Sequence, residues 1–247
     1  MAKIVVINPT ISHEWDALSL ENLRAAATPG TQLEIVSLDW GPASIESRVD
    51  DDLAAPGILL CAIQAERDGY EAILISCMND PGLAAAREAV RIPVVGPAQA
   101  SMHLAAMLSH RFSIVTTGTN DILVVEELVA RYRMTGRLAS VRAIGIPVLE
   151  IGARREAAQQ AVLSVAEAAV LQDGAGAIIL GCTLLADLEP QIRSSLLARG
   201  IDVPLINPAL VALKLAETLA ALDLSHSLRS YAPPGDKPVS WPISLPA

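Results

Sequence analysis

One unit occurs twice in this chain. Asp68-Gly69-Tyr70-Glu71-Ala72-Ile73-Leu74-Ile75-Ser76-Cys77 aligns without gaps on Asp173-Gly174-Ala175-Gly176-Ala177-Ile178-Ile179-Leu180-Gly181-Cys182. Downstream, Pro93, Pro97 and Ala98 match Pro204, Pro208 and Ala209, with six residues more between the cysteine and the first proline in the second copy. A strand, its cysteine and a following Pro-x-x-x-Pro-Ala used twice restrict the chain to two similar lobes.

The apolar pattern says what each lobe contains. Ile4–Ile7, Leu33–Leu38, Ala72–Ser76, Ile92–Val95, Phe112–Val115, Val141–Ile144, Ala177–Leu180 and Val203–Ile206 read as strands. Helix-length segments such as Glu14–Ala27, Ala54–Asp68, Gly82–Ala89 and Glu156–Gln172 lie between them. Such alternation predicts right-handed βαβ units, hence an α/β fold of two pseudo-symmetric lobes, each a parallel four-stranded sheet flanked by helices. Hydrophobic residues are 52% and aromatics 3%, so the core is Ala, Leu, Ile and Val, as parallel sheets favour. The first lobe is expected over residues 1–100 and the second over 101–207. Prolines at 233, 234, 238, 242 and 246 exclude a regular helix after Ser230 and predict an extended arm on this lobe or a neighbour.

Several classes of function drop out. A net charge of −9 with no basic cluster argues against nucleic-acid binding. The longest stretch free of charge, Ile92 to His110, carries two prolines, Gln99, Ser101 and two histidines, so no membrane span is expected. The opening MAKIVVINP runs straight into a strand pattern without a secretory signal, which predicts a cytoplasmic protein. Three cysteines without CxxC spacing leave free thiols rather than a disulfide framework or a zinc site. No GxGxxG, Walker loop or GxSxG elbow follows a strand, and Lys3, Lys214 and Lys237 are poorly placed for a Schiff base.

Cys77 and Cys182 therefore stand out. Each follows an apolar strand directly, and ligand crevices of open α/β sheets lie beyond the carboxyl ends of the strands. Both thiols are expected in one cleft between the lobes, near helix starts whose free N–H groups lower a thiol's pKa. Inverting a carbon acid needs a base on one face and an acid on the other, which a thiolate and a thiol supply. Cys61, within LLCAIQAE, reads as a buried structural cysteine. The histidines at 13, 103, 110 and 226 lack metal spacing; His103 and His110 could share a helix face. Asn8, Thr116, Thr117 and Thr183 end strands and suit a carboxylate or imide oxygen, although Thr117 and Thr119 equally suit a helix N-cap. Asp39-Trp40-Gly41-Pro42 and Ser44-Ile45-Glu46 are expected to roof the cleft or simply connect, with Ile45 touching a substrate side chain. Met78 is a further expected contact.

The chain resembles the hydantoin racemases and their allantoin-racemase relatives in the aspartate/glutamate racemase superfamily. The matching stretches include Ile7-Asn8-Pro9, Gly41-Pro42-Ala43-Ser44-Ile45-Glu46, Cys77 through Asp80-Pro81-Gly82-Leu83, Ala86-Arg87-Glu88 and Pro93-Val94-Val95-Gly96. Met102-His103, Arg111 through Thr117, Val141-Arg142-Ala143, Leu180-Gly181-Cys182 with Ala186-Asp187-Leu188, and Tyr231-Ala232-Pro233 continue the series in order. The resemblance implies a cofactor-independent racemase, commonly a homo-oligomer, acting on a small molecule in the cleft between the lobes. It implies that residues 208–247 return to complete the first lobe. It places the two catalytic cysteines at Cys77 and Cys182 and the ring-binding elements at Asn8, Thr116 and Thr117. The chain departs from the family at Thr10, at Thr183-Leu184-Leu185 and at Gly96-Pro97-Ala98-Gln99, three places expected at the cleft. The Asp-Ser-Gly opening of glutamate racemases is absent.

The expected reaction is racemisation at C5 of a 5-substituted hydantoin. An allantoin or amino-acid racemase is the alternative, followed by a cis-trans isomerase with one cysteine as nucleophile and the other as acid. An arylmalonate-type decarboxylase keeps one cleft thiol only. The rival from another class is a non-catalytic two-lobed small-molecule binding protein, which gives no reason for two repeat-related thiols.

Overall fold

A computed structural model describes residues 2–235, 237 and 238. Eight strands and eight helices alternate along it, and the second half repeats the order of the first. The first half runs β1 (Lys3–Asn8), α1 (Asp16–Ala26), β2 (Gln32–Ser37), α2 (Arg48–Arg67), β3 (Ala72–Ile75), α3 (Leu83–Ala89), β4 (Val94–Val95) and α4 (Pro97–Leu108). The second runs β5 (Phe112–Thr116), α5 (Asp121–Arg131), β6 (Leu138–Ala143), α6 (Arg155–Leu171), β7 (Ala177–Leu180), α7 (Glu189–Ala198), β8 (Leu205–Ile206) and α8 (Pro208–Ala221). The sheets are parallel throughout, in the orders β2-β1-β3-β4 and β6-β5-β7-β8.

Period-two burial accounts for the layers. In the first sheet Val5, Ile7, Ile73 and Ile75 pack against Ala54, Ile58 and Ala62 of α2 and Leu83 and Ala86 of α3. Their neighbours Ile4, Val6, Ala72 and Leu74 face Leu23 of α1 and Ala212, Leu213 and Ala216 of α8. The second sheet repeats this, with Ile178 and Leu180 on α6 and α7 and Ala177 and Ile179 on α4 and α5. The lobes thus exchange helices: α4 leaves the first sheet to cover the second, and α8 leaves the second to cover the first. Both helices begin with proline, Pro97 and Pro208, whose missing N–H costs nothing at that position. The expected division at residue 100 falls inside α4, because the chain already crosses over at Gly96–Pro97.

Several boundaries differ from the sequence expectation. Only Val94–Val95 and Leu205–Ile206 of the expected fourth and eighth strands form ladders. The sixth strand begins at Leu138 rather than Val141. Helix α2 starts six residues before Ala54, because the Ser47 side chain accepts from the Asp50 N–H and Asp50 and Asp51 face the positive end of the helix dipole. Pro56 is held inside this helix. α4 ends at Leu108, so His103 and His110 do not share a helix. The six extra residues of the second repeat correspond in length to the 3₁₀ turn Thr183–Leu188 after Cys182.

After α8 the chain returns along the first lobe. Ser225 Oγ donates to the Arg91 carbonyl, the Val94 N–H donates to His226 Nε2 at 2.9 Å, and Arg87 donates to the Tyr231 hydroxyl at 3.1 Å. The remainder of the proline-rich arm expected from the sequence, including Pro242 and Pro246, lies outside the described residues.

Glu217 ties α8 to the turn between α1 and β2. Its carboxylate accepts from the Thr28 N–H (2.7 Å), the Thr28 and Thr31 hydroxyls (2.8 Å each) and Lys214 Nζ (2.8 Å). Burial opposes its ionisation, but these four donors outweigh it and hold the carboxyl at about 2, against 4.5 ordinarily. A pKa lowered on folding gives stability that is present above the unfolded value and is lost as pH falls through the folded one. Glu217→Ala is expected to cost about 2 kcal/mol at pH 7 in urea unfolding. The difference from the parent should shrink as pH falls from 4.5 towards about 2.

Candidate functional site

In each sheet the strand order turns back between its two central strands, and there the carboxyl ends open a crevice. Ile7 pairs with Ile75 and Val115 with Leu180, so Asn8 and Thr116 hold equivalent positions, as do Cys77 and Cys182. The two crevices face each other and merge into one cleft, open to solvent. Cys77, Cys182, Asn8, Ile45, Met78, Thr116, Thr117 and Thr183 all line it.

Cys182 follows Gly181, whose N–H donates to the Val115 carbonyl at 2.7 Å. A Cβ on this glycine would stand 2.7 Å from that same oxygen, so the approach of β7 to β5 needs a glycine here. Thr183 Oγ1 crosses between the lobes to the Ser76 carbonyl at 3.3 Å, joining the two cysteine-bearing turns. Asp80, at φ 49°, anchors the Cys77 turn from the other side. Its carboxylate accepts from the N–H groups of Ala98 (3.0 Å) and Gln99 (2.9 Å) and from the Tyr132 hydroxyl (2.6 Å). Burial pushes Asp80 up to about 6 despite these donors.

Both sulfurs receive backbone N–H groups, Cys77 from Asn79 (3.5 Å) and Cys182 from Leu184 and Leu185. The expected lowering of the thiol pKa nevertheless does not prevail. Burial pushes Cys77 well above its ordinary value, and Asp51, Cys182 and Asp80 add repulsion of negative charge. Burial pushes Cys182 up to about 12, with Asp121 and Glu46 adding to it. Desolvation outweighs a few N–H donors. Cys61 lies in α2 away from the cleft, packed against the first core and raised to about 11 by burial.

The threonines are organised by Asp121, which sequence reasoning did not select. Its Oδ2 accepts from Thr117 Oγ1 (2.9 Å), the Gly118 N–H (2.8 Å) and, more weakly, Thr116 Oγ1 (3.4 Å). Burial raises Asp121. The N-cap of α5 is Asn120, without a side-chain bond, so neither Thr117 nor Thr119 caps the helix. With their protons given to a carboxylate, the Thr116 and Thr117 hydroxyls offer lone pairs to the cleft. The signal was an acidic residue in the first helical turn, four positions after Thr117.

Asn8 lines the cleft, yet its amide is committed to the wall. Nδ2 donates to the Ser12 carbonyl (2.8 Å), Asp16 Oδ1 (2.8 Å) and Ser37 Oγ (3.0 Å), while Oδ1 accepts from Thr10 Oγ1 (3.0 Å). Ala43, Ser44 and Ile45 form part of the wall, and Glu46 accepts from the Val148 N–H of the other lobe at 3.2 Å. Val148 and Leu149, missed in the sequence, stand after β6 as Ala43–Ile45 stand after β2; extending the repeat to those strands would have found them. Thr10, Thr183 and Leu184 are at the cleft as expected. Gly96-Pro97-Ala98-Gln99 is not: it starts α4, with Gly96 and Gln99 on a separate apolar groove beside Arg87 and Met107. Leu185 is buried in the second core.

Because the thiols are protonated at rest, iodoacetamide should alkylate Cys77 and Cys182 slowly at neutral pH. The rate should rise about tenfold per unit between about pH 7 and 9 as the thiolate fraction grows. Mass spectrometry of the modified peptides checks this, and a flat profile would contradict it.

A family model described as Asp/Glu/Hydantoin racemase matches residues 4–216. A hydantoin racemase of Pseudomonas sp. (strain NS671) is 36% identical over 236 residues, covering 95% of this chain and 93% of that protein. A hydantoin racemase of Rhizobium meliloti is 34% identical over 232 residues, with 94% of each chain covered. The solved structure of an allantoin racemase from Klebsiella pneumoniae superposes with a TM-score of 0.92 at 36% identity, covering 98% of this chain and 97% of that one.

Proposed function

Since this chain belongs to the Asp/Glu/Hydantoin racemase family, we propose that it inverts C5 of a 5-substituted hydantoin with two thiols and no cofactor. The observation that carries this reading is the meeting of Cys77 and Cys182, from equivalent ends of two central strands, in one cleft. The C5 hydrogen lies between a ring carbonyl and a ring nitrogen. Its removal leaves a carbanion delocalised into that carbonyl as an enolate, which lowers the barrier before any catalyst acts.

One cysteine, as thiolate, takes the C5 proton; the other, as thiol, delivers a proton to the opposite face. The charge then rests on the second sulfur, and the reverse reaction exchanges the roles. Repulsion between the sulfurs favours this arrangement, because a first thiolate opposes ionisation of the second. The pair thus holds one base and one acid. Thr116 and Thr117 accept ring N–H groups through the lone pairs that Asp121 leaves free. Ile45, Met78, Val148 and Leu149 pack the apolar part of the C5 substituent. Thr183 holds the Cys77 and Cys182 turns together, and Asn8 shapes the wall.

Allantoin is the second substrate to consider. It is a hydantoin bearing a ureido group at C5, and the allantoin racemase of Klebsiella pneumoniae shares the whole fold. The reading extends to a homo-oligomer working in the cytoplasm; the mean hydropathy of +0.42 supports association.

The test is loss of the C5 proton NMR signal of an L-5-alkylhydantoin in D₂O. Enzyme-dependent loss that disappears in the double variant Cys77→Ala, Cys182→Ala is expected. Exchange at the enzyme-free rate with the parent protein would overturn the hydantoin assignment and send the search to allantoin, free amino acids and maleate.

A further inference from the structure

The two cysteine turns share a backbone device and differ in one side chain. Asn79 stands two residues after Cys77, and Leu184 stands two residues after Cys182. Each gives its N–H to the sulfur before it, Asn79 at 3.5 Å. Leu184 then packs its side chain against the second core. Asn79 turns its amide to a carboxylate instead, Nδ2 donating to Asp51 Oδ2 at 3.3 Å. The repeat is therefore broken at the residue that touches each sulfur.

Asp51 has no part in the reaction as described above. It lies in the first turn of α2, behind Asn79, which lines the cleft. Its Oδ1 is buried and, among the described residues, has no hydrogen-bond partner. Asp50 and Asp52 flank it on the same helix, Arg48 is paired to Glu127, and Arg131 of α5 attracts it from the second lobe. Burial, helped by Asp52 and Asp50, pushes Asp51 up to about 6, so it is still mostly ionised above pH 7.

The carboxylates nearest Cys182 are better answered by donors. Asp121 Oδ2 accepts from Thr117 Oγ1 and the Gly118 N–H, and Glu46 accepts from Ser44 Oγ and the Val148 N–H. Asp51 keeps more of its charge for its surroundings, and an ionised carboxylate behind Cys77 opposes a second negative charge on that sulfur.

We propose that Asp51, acting through Asn79, is a positioning residue that keeps the proton on Cys77 and so makes Cys182 the thiol that ionises first. The inference rests on the two-thiol reading above and gives the pair fixed roles at rest. Cys182 becomes the base and Cys77 waits as the acid, so the resting protein takes the enantiomer whose C5 hydrogen faces Cys182. A turnover leaves the charge on Cys77, where Asp51 favours its return to Cys182.

The test needs no substrate. The full chain is treated with iodoacetamide between pH 7 and 9, and the rate at each cysteine is read by mass spectrometry of its own peptide. In the parent, Cys182 is expected to react before Cys77. Asp51→Asn keeps the shape and an acceptor for Asn79 but removes the charge. It should raise the Cys77 rate about fivefold or more at pH 8 and leave Cys182 little changed. Asp51→Glu restores the charge and should return Cys77 towards the parent rate. A Cys77 that reacts first in the parent would overturn the assignment. So would an unchanged ratio in Asp51→Asn, or equal acceleration of both thiols, which marks a loosened turn rather than a lost charge. The expected pattern in a protein that racemises no hydantoin would keep the role of Asp51 and sink the hydantoin reaction instead.

Discussion

A parallel sheet covered on both faces leaves its central strands one place for chemistry. Ile4 to Ile7, Ala72 to Ile75 and Ala177 to Leu180 are buried on both sides, so a polar side chain within them would be costly. Ser113 meets this constraint by bonding Ser140 on the neighbouring strand at 2.8 Å. Asn8 and Thr116, at the carboxyl ends of β1 and β5, emerge where the ladders stop. In both lobes that place is the crevice at which the strand order turns back, and the exchange of α4 and α8 locks the two crevices together. The position of both cysteines follows from this arrangement of layers.

The same burial sets the electrostatics. Removing the thiols from water costs more than the neighbouring N–H groups return, so both are held as neutral acids. A reaction that needs one proton donor and one acceptor is served by a pair whose members resist ionising together. The carboxylates around the cleft act differently from one another. Asp121 fixes the threonine hydroxyls, Asp80 ties the Cys77 turn to α4 and to Tyr132 of the second lobe, and Glu46 reaches the Val148 N–H. Each bond crosses from one element to another, so the geometry of the thiols depends on contacts several residues away from them.

Much of this was legible in the sequence because the repeat is literal. The shared Gly, apolar run and cysteine located β3, β7 and both thiols, while the shared Pro-x-x-x-Pro-Ala marked the repeat without revealing that its second proline starts α4 and α8. Short ladders were not legible: Ile92-Pro93 and Val203-Pro204 are as apolar as their neighbours, yet only two residues of each run pair. The start of α2 was hidden by the acidic run Asp50-Asp51-Asp52, which reads as loop until Ser47 is seen to cap it. Thr116 and Thr117 could be named from their position at a strand end, but Asp121, which orients their hydroxyls, comes close only through the turn. Trp15 and Asp16 are brought to the cleft by the loop after β1, held by Asn8 through bonds that leave no trace in the spacing. The Gly96–Gln99 stretch misled for the opposite reason: next to a conspicuous strand, it enters a helix that belongs to the other lobe.

The central claim is that two thiols act on opposite faces of one carbon, and the fate of deuterium during a single-enantiomer reaction tests it most directly. The account predicts that, early in a D₂O reaction started from L-5-alkylhydantoin, the D product carries deuterium at C5 while recovered L substrate retains hydrogen. A thiol that has taken the substrate proton can return only that proton. Deuterium entering recovered substrate as fast as it enters product would contradict the account, because it would place a single exchanging base at the carbon.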